Sequence, residues 1–167
     1  YDMVDSVYSS QGQFSLIVGQ VVEDFETGGI STNVWYNNSS YPWVLDSTTV
    51  YEGNYSFRSS NNTDNTHSIL ELEVDVSSTS DISFMKKVSS ESNYDYLKFF
   101  IDNVEQDSWS GEDDWSLHIY SVSQGNHRFK WDYEKDFSVS SGSDAAWIDD
   151  VVLPPSQQSG LGFEGST

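Results

Sequence analysis

The sequence predicts an all-β fold, a sandwich of antiparallel strands, on three observations. No stretch holds a 3.6-residue apolar period, so no helix is expected. About nine to eleven short segments read as strands, at the spacing expected of a sandwich. Gly, Asn, Asp and Ser clusters separate them, and these are turn formers.

Taken in order, Phe14-Ser-Leu-Ile-Val18 is a short apolar run closed by Gly19. Two readings of it stay open: the last strand of a preceding module, covering residues 1–20, or an N-terminal edge strand. Val21-Val-Glu-Asp-Phe-Glu26 is the next strand, ended by Gly28-Gly29. Residues 30–46 read as a long loop with a short strand near Trp43. Val50 to Phe57 reads as a turn and a strand, with Tyr55 and Phe57 on one face. Ser68 to Val76 gives the cleanest alternation: Leu70, Leu72, Val74 and Val76 against Glu71, Glu73 and Asp75. Asp81 to Val88 follows, with Ile82 and Phe84 inward. Tyr94 to Ile101 and Val104 to Trp109 make a hairpin about Asp102-Asn103. Ser110 to Asp114 reads as an acidic loop. Trp115, Leu117 and Ile119 then alternate with Ser116, His118 and Tyr120. Gln124-Gly125 turns the chain into a strand where His127, Phe129 and Trp131 alternate with Arg128 and Lys130. Ala146 to Leu153 is the last strand. Pro154-Pro155 is expected to stop sheet pairing, leaving 155–167 as a flexible linker. The main domain is thus 21–154.

Composition bounds the function. The 167 residues carry 27 acidic and 7 basic side chains, a formal net charge of -20. Such a surface repels nucleic acid and anionic membranes. The aromatic fraction of 15% argues for a packed core. With no cysteine, a disulfide framework is excluded. No apolar run is long enough to span a bilayer. A chain opening at Tyr1 reads as a mature or excised fragment of a longer protein, secreted or at the cell surface.

The most informative stretch is Gly142 to Pro154. Apolar residues flank Asp149 and Asp150 on both sides, and burying a bare carboxylate is costly. Asp24 and Glu26 lie in a similar strand-like setting, on one face, with Phe25 on the other. In a jelly roll the first and last strands commonly lie side by side. The expectation is that the two acidic strands meet and hold a hard cation. A solvated face with a backbone-bonded Asp is the plainer alternative.

Six segments occur in a familiar order: Val22-Glu-Asp-Phe-Glu-Thr-Gly28, Tyr51-Glu-Gly-Asn-Tyr-Ser56, Trp109-Ser-Gly-Glu112, Gly125-Asn-His-Arg-Phe-Lys-Trp131, Lys135-Asp136 and Ser141-Gly-Ser-Asp-Ala-Ala-Trp-Ile-Asp-Asp-Val151. Together they resemble the jelly-roll accessory modules of Bacteroidetes-type secreted proteins. These include the cleaved-adhesin domains of gingipain-like proteases and, more distantly, MAM and galactose-binding-like domains. The resemblance covers Val21 to Pro154. It implies an antiparallel jelly roll with a structural Ca2+ beside the first and last strands. The implied ligands are Asp24, Glu26, and Asp149 or Asp150, with Glu52 and Asn54 adding a side chain or a carbonyl. All-oxygen ligands suit Ca2+, and a bulge at the adjacent pair decides which Asp faces the ion. The resemblance also implies a monomeric, non-catalytic module within a larger chain, possessing an adhesion or targeting role.

Aromatic and acidic side chains on one face can form a sugar platform. Trp35, Trp43, Tyr94, Tyr96, Trp109 and Trp115 are the candidates, with Tyr94, Tyr96, Trp109 and Trp115 preferred as glycan ligands; the alternative is that most are core. A structural or protein-interaction module serving a secreted protease is the second functional reading. No Gly-x-Ser-x-Gly accompanies the three histidines, and no Cys or His spacing suggests zinc. Asn38, Asn54 and Asn61 match the N-glycosylation pattern but carry no argument.

Overall fold

The computed structural model describes residues 15–18, 20–30, 35–38 and 40–159. The segments expected at 1–14 and 160–167 lie outside the described residues. Thirteen strands form two antiparallel sheets, with no helix among the described residues. They are β1 (Ser15–Val18), β2 (Val21–Glu23), β3 (Trp35–Asn37), β4 (Val44–Asp46), β5 (Ser56–Arg58), β6 (His67–Val76), β7 (Ser80–Ser89), β8 (Tyr96–Ile101), β9 (Val104–Trp109), β10 (Glu112–Val122), β11 (Gly125–Glu134), β12 (Ala145–Leu153) and β13 (Ser156–Ser159). The seven-stranded sheet runs β1-β13-β6-β11-β8-β9, with β3 also on β6; the six-stranded sheet runs β10-β7-β12-β5-β4, with β2 also on β12.

The core lies between the sheets and follows strand alternation. Leu70, Leu72, Val74 and Val76 of β6 meet Ile82, Phe84 and Val88 of β7 and Ile148 of β12. Phe84 is the aromatic hub: its ring lies 4.8 Å from that of Phe99 and 5.3 Å from that of Trp131. Asp102 and Asn103 both have positive φ, as a two-residue hairpin turn between right-twisted strands requires.

Three local expectations need correction. First, Pro154-Pro155 does not end the pairing. The prolines sit between strands, where their missing N–H groups cost nothing, and β13 pairs with β1 beyond them. The Pro155 carbonyl still accepts a hydrogen bond from Ser77 N at 2.9 Å. Second, the stretch from 30 to 46 holds a further strand, β3, on β6. Third, the acidic segment Glu112–Asp114 is not a loop but the start of β10. The alternation in β10 left its direction open, and the structure turns its aliphatic side chains outward. Leu117 and Ile119 are 57% and 58% exposed. The inward face carries His118 and Tyr120, whose rings stack on Phe84 at 6.1 and 6.0 Å.

Lys135 has no exposed side-chain surface and pairs with Asp95 and Asp144. A buried ammonium of this kind is tolerable only because carboxylates surround it.

Phe84→Ala should cost about 3–5 kcal/mol, the range for emptying a large buried aromatic. Urea denaturation checks this; a loss under about 1 kcal/mol would mean the hub is not packed as described.

Candidate functional site

The first and last strands meet. β2 pairs antiparallel with β12, bringing Glu23 opposite Val151 and Val21 opposite Leu153. Just beyond β2 the chain turns sharply at Phe25, whose φ is 59° and whose ring is buried against Phe57 at 4.9 Å. That turn, rather than a continued strand, sends Asp24 and Glu26 to the side away from the core. On β12 the register with β7 shifts between Asp149 and Val152, and Asp150 has φ 45°. This bulge lets Asp149 and Asp150 take separate directions.

Asp24, Glu26, Glu52, Gly53 and Asp150 line one open cavity of about 450 Å³, with Val22 and Val152 as its apolar wall. No basic side chain lines it. Burial raises the Asp150 pKa, and the nearby charges of Glu52, Asp24 and Glu26 raise it further. Four carboxylates sharing a cavity without a cation are mutually repulsive, and oxygen-only donors of this kind fit a divalent cation such as Ca2+.

Three of the six expected ligands, Asp149, Asn54 and Glu26, are engaged in holding the β4–β5 loop. The Asp149 side chain is fully buried on the outer side of the six-stranded sheet, beneath the loop from 47 to 55. Its Oδ2 accepts from Tyr51 N at 3.1 Å and Glu52 N at 3.3 Å, and its Oδ1 accepts from Asp150 N at 2.8 Å. Desolvation pushes its pKa up to about 6, against the pull of those three N–H groups. Asn54 donates Nδ2–H to Glu26 Oε2 at 2.9 Å. Glu26 Oε1 also accepts from Asn54 N at 2.7 Å and Tyr55 N at 2.8 Å. The Asn54 side chain and these two amides hold the Glu26 carboxyl below its ordinary range. Gly53 has φ 70°, and a Cβ there would collide with the Glu26 carboxylate. Glu26 and Asp149 therefore hold the β4–β5 loop by its backbone, while Asp24, Glu52 and Asp150 face the cavity.

The aromatic candidates do not share a surface. Tyr94 lies in the turn before β8 and is 57% exposed. Tyr96 is half-buried on the outer face of the seven-stranded sheet, with Lys98 Nζ 5.9 Å from its ring. Trp109 packs inward against Phe84 and His118 at 6.4 and 4.5 Å. Trp35 and Trp43 are core. Trp115 alone of the preferred four stands on the outer face of the six-stranded sheet. Its ring lies 5.9 Å from that of Tyr51, which is 47% exposed. Tyr51 escaped the sequence reading because a loop residue has no alternation to betray its direction.

Two further constellations were not expected. Glu91, Asp95 and Asp136 bring carboxylate oxygens within 4.8 Å of one another, beside Lys135. Ser123, His127 and Asp102 resemble a hydrolytic triad, with His127 Nδ1 2.7 Å from Asp102 Oδ2. His127 Nε2, however, lies nearer the Ser123 carbonyl, at 2.9 Å, than its hydroxyl, at 3.3 Å. An Nε2–H given to a carbonyl is not free to take a proton from a nucleophile.

The whole architecture has counterparts among solved structures. The K3 cleaved-adhesin domain of Lys-gingipain from Porphyromonas gingivalis superposes with a TM-score of 0.57 at 13% identity, covering 84% of this chain and 98% of that one. The fold is an antiparallel jelly-roll β-sandwich. The CBM22-1 xylan-binding domain of Paenibacillus barcinonensis Xyn10C gives 0.55 at 16% identity, covering 81% of this chain and 93% of that one. The secreted serine protease VesC from Vibrio cholerae gives 0.58 at 16% identity over 85% of this chain, which spans 33% of that protein's chain. No family model matches the sequence, and no curated protein does.

The pH dependence follows from Asp149 and Asp150. Both folded pKa values are raised, that of Asp149 to about 6, so the folded state binds more protons than the unfolded state down to the ordinary value of 3.8. In EDTA, stability should therefore rise as pH falls from about 7 to about 5. Asp150→Asn keeps the bulge, since Asn tolerates positive φ, and removes one repelling charge. It should raise Tm by a few degrees in EDTA near neutral pH. Calorimetric melts check both; a falling Tm on acidification, or a destabilised Asp150→Asn, would contradict this electrostatic account.

Proposed function

We propose that this chain is a non-catalytic, Ca2+-stabilised module that binds glycan for a larger secreted or cell-surface protein. The observation that carries the reading is the Tyr51–Trp115 pair. The two rings stand together on an outer sheet face, tilted at 55° to each other, and neither is core. Aromatic faces in this setting stack on the C–H face of a sugar ring, and neighbouring amides and carboxylates bind its hydroxyls. The shared fold with xylan-binding and adhesin domains supports the reading.

Asp24, Glu52 and Asp150, with the remaining lone pairs of Glu26, would hold the ion. A bound cation neutralises their repulsion and fixes the loop that carries Tyr51. Its binding free energy adds directly to folding stability. The module function needs no nucleophile, and the net charge of -20 keeps nucleic acid away.

A protein-docking role beside a protease is favoured by one observation: Leu117 and Ile119 are exposed on β10, an edge strand. That surface would pair with a neighbouring domain rather than a sugar.

Affinity electrophoresis through a panel of soluble polysaccharides separates the readings. At least one polysaccharide should retard the protein, and Trp115→Ala should weaken that retardation about tenfold, as loss of a stacked aromatic costs. Tyr96→Ala, on the other sheet, should leave it unchanged. No retardation on any polysaccharide would count against glycan binding. A second check concerns the ion: added Ca2+ should raise Tm by several degrees over EDTA, and Asp150→Asn should erase that increment. Equal melts in Ca2+ and EDTA would remove the ion from the account.

A further inference from the structure

Beside the Tyr51–Trp115 pair, the outer face of the six-stranded sheet holds a second, more polar cavity of about 290 Å³. Asp46, Thr48, Thr49, Arg58, Ser143 and Trp147 line it. Arg58 and Trp147 are register partners on β5 and β12, and the guanidinium lies 5.6 Å from the indole centre. Asp46 is already engaged: its oxygens accept from Trp147 Nε1 at 2.7 Å, Thr48 N at 2.7 Å and Thr48 Oγ1 at 2.6 Å. Arg58 is not. Its one side-chain hydrogen bond among the described residues is from Nη2 to the Ser143 carbonyl at 3.3 Å.

The charge census makes this unusual. Of the 7 basic side chains in the chain, Lys86, Lys87, Lys98, Arg128 and Lys135 each pair with a carboxylate. Lys130 lies over the Phe100 ring at 4.1 Å. Arg58 has no carboxylate partner among the described residues, in a protein with 27 acidic side chains. A guanidinium has five N–H donors in a rigid fork that matches a carboxylate, so most of its capacity here is unspent.

We infer that the Arg58 cavity is a subsite for the carboxylate of a hexuronic acid residue in an acidic glycan. This rests on the glycan-binding reading above and names its ligand class. At about 290 Å³ the cavity lies just below the range for ligand pockets, about 300–1,000 Å³, and suits a single sugar ring. Thr49 and Ser143 bring hydroxyls for the ring's own hydroxyls. The loop from 47 to 55 supplies both Thr49 to this cavity and Tyr51 to the aromatic pair, so one oligosaccharide can engage both. A uronate brings one charge per ring to one guanidinium. An acidic peptide brings the carboxylate but no hydroxyl-bearing ring for the cavity that Thr49, Ser143 and Trp147 line.

The test is calorimetric titration with a short oligouronate and with the same oligosaccharide after reduction of its carboxyls to alcohols. Both are run with Ca2+ and with EDTA, because an ion in the acidic cavity could itself bridge to a uronate. The wild-type protein should prefer the carboxylate form by about tenfold in both buffers, the scale of one charge-assisted fork. Arg58→Gln should erase the preference while leaving affinity for the reduced form. Arg58→Lys, which keeps the charge and the packed stem over Trp147, should retain part of it and serves if Arg58→Gln misfolds. Equal affinity for the two forms would overturn the uronate subsite while leaving glycan binding intact. A preference that survives in Arg58→Gln or vanishes in EDTA would overturn it too. Binding of polyglutamate with neither sugar form bound would overturn both the subsite and the glycan reading.

Discussion

One buried carboxylate sets the geometry on which the functional surface depends. Asp149 lies on the outer side of the six-stranded sheet with no solvent exposure, and the β4–β5 loop closes over it. An ionised carboxylate there is tolerable only because three backbone N–H groups point at it. The loop, in turn, has few anchors of its own. Asp149 holds it at Tyr51 and Glu52, and Glu26 holds it at Asn54 and Tyr55. Acidic residues from the two ends of the domain thus act first as hydrogen-bond acceptors. Holding a cation, as proposed above, would fall to their neighbours Asp24, Glu52 and Asp150.

Everything of functional interest hangs from that loop. Thr48 and Thr49 line the polar cavity, Tyr51 meets Trp115, and Glu52 and Gly53 line the acidic cavity. Any change in one of these sites must pass through a segment only a few residues long. The acidic cavity is under electrostatic strain at neutral pH, because Asp24, Glu26, Glu52 and Asp150 share it without a basic partner. Protonation or a bound cation relieves the same repulsion, so the two compete. A cation bound as proposed would thus couple to pH and to the position of Tyr51 through one physical cause.

The fold was legible because alternation is local. Leu70 to Val76 could be assigned from side-chain period alone, and the pairing of the two acidic strands followed from jelly-roll topology. The bulge at Asp149-Asp150 was foreseen as a possibility, but which carboxylate it would bury depends on the loop above, and a loop writes no period into the sequence. The direction of β10 stayed open in the sequence for a related reason. Apolar Leu117 and Ile119 look like core, yet the hub Phe84 takes His118 and Tyr120, and an edge strand has room to expose the other set. The glycan candidates scattered because Trp109 and Tyr96 lie on neighbouring strands with opposite facing, which depends on pairing register. Arg58 showed its significance only after every other cation had found its partner in space.

The most direct measurement is amide hydrogen exchange at Tyr51, Glu52, Asn54 and Tyr55. If Asp149 and Glu26 hold the loop, all four amides are protected in the wild-type protein. Asp149→Ala, which leaves no acceptor, then releases Tyr51 and Glu52 while Asn54 and Tyr55 stay slow. Exchange of these four at the rate of an open chain in the wild-type protein would contradict the account at its root.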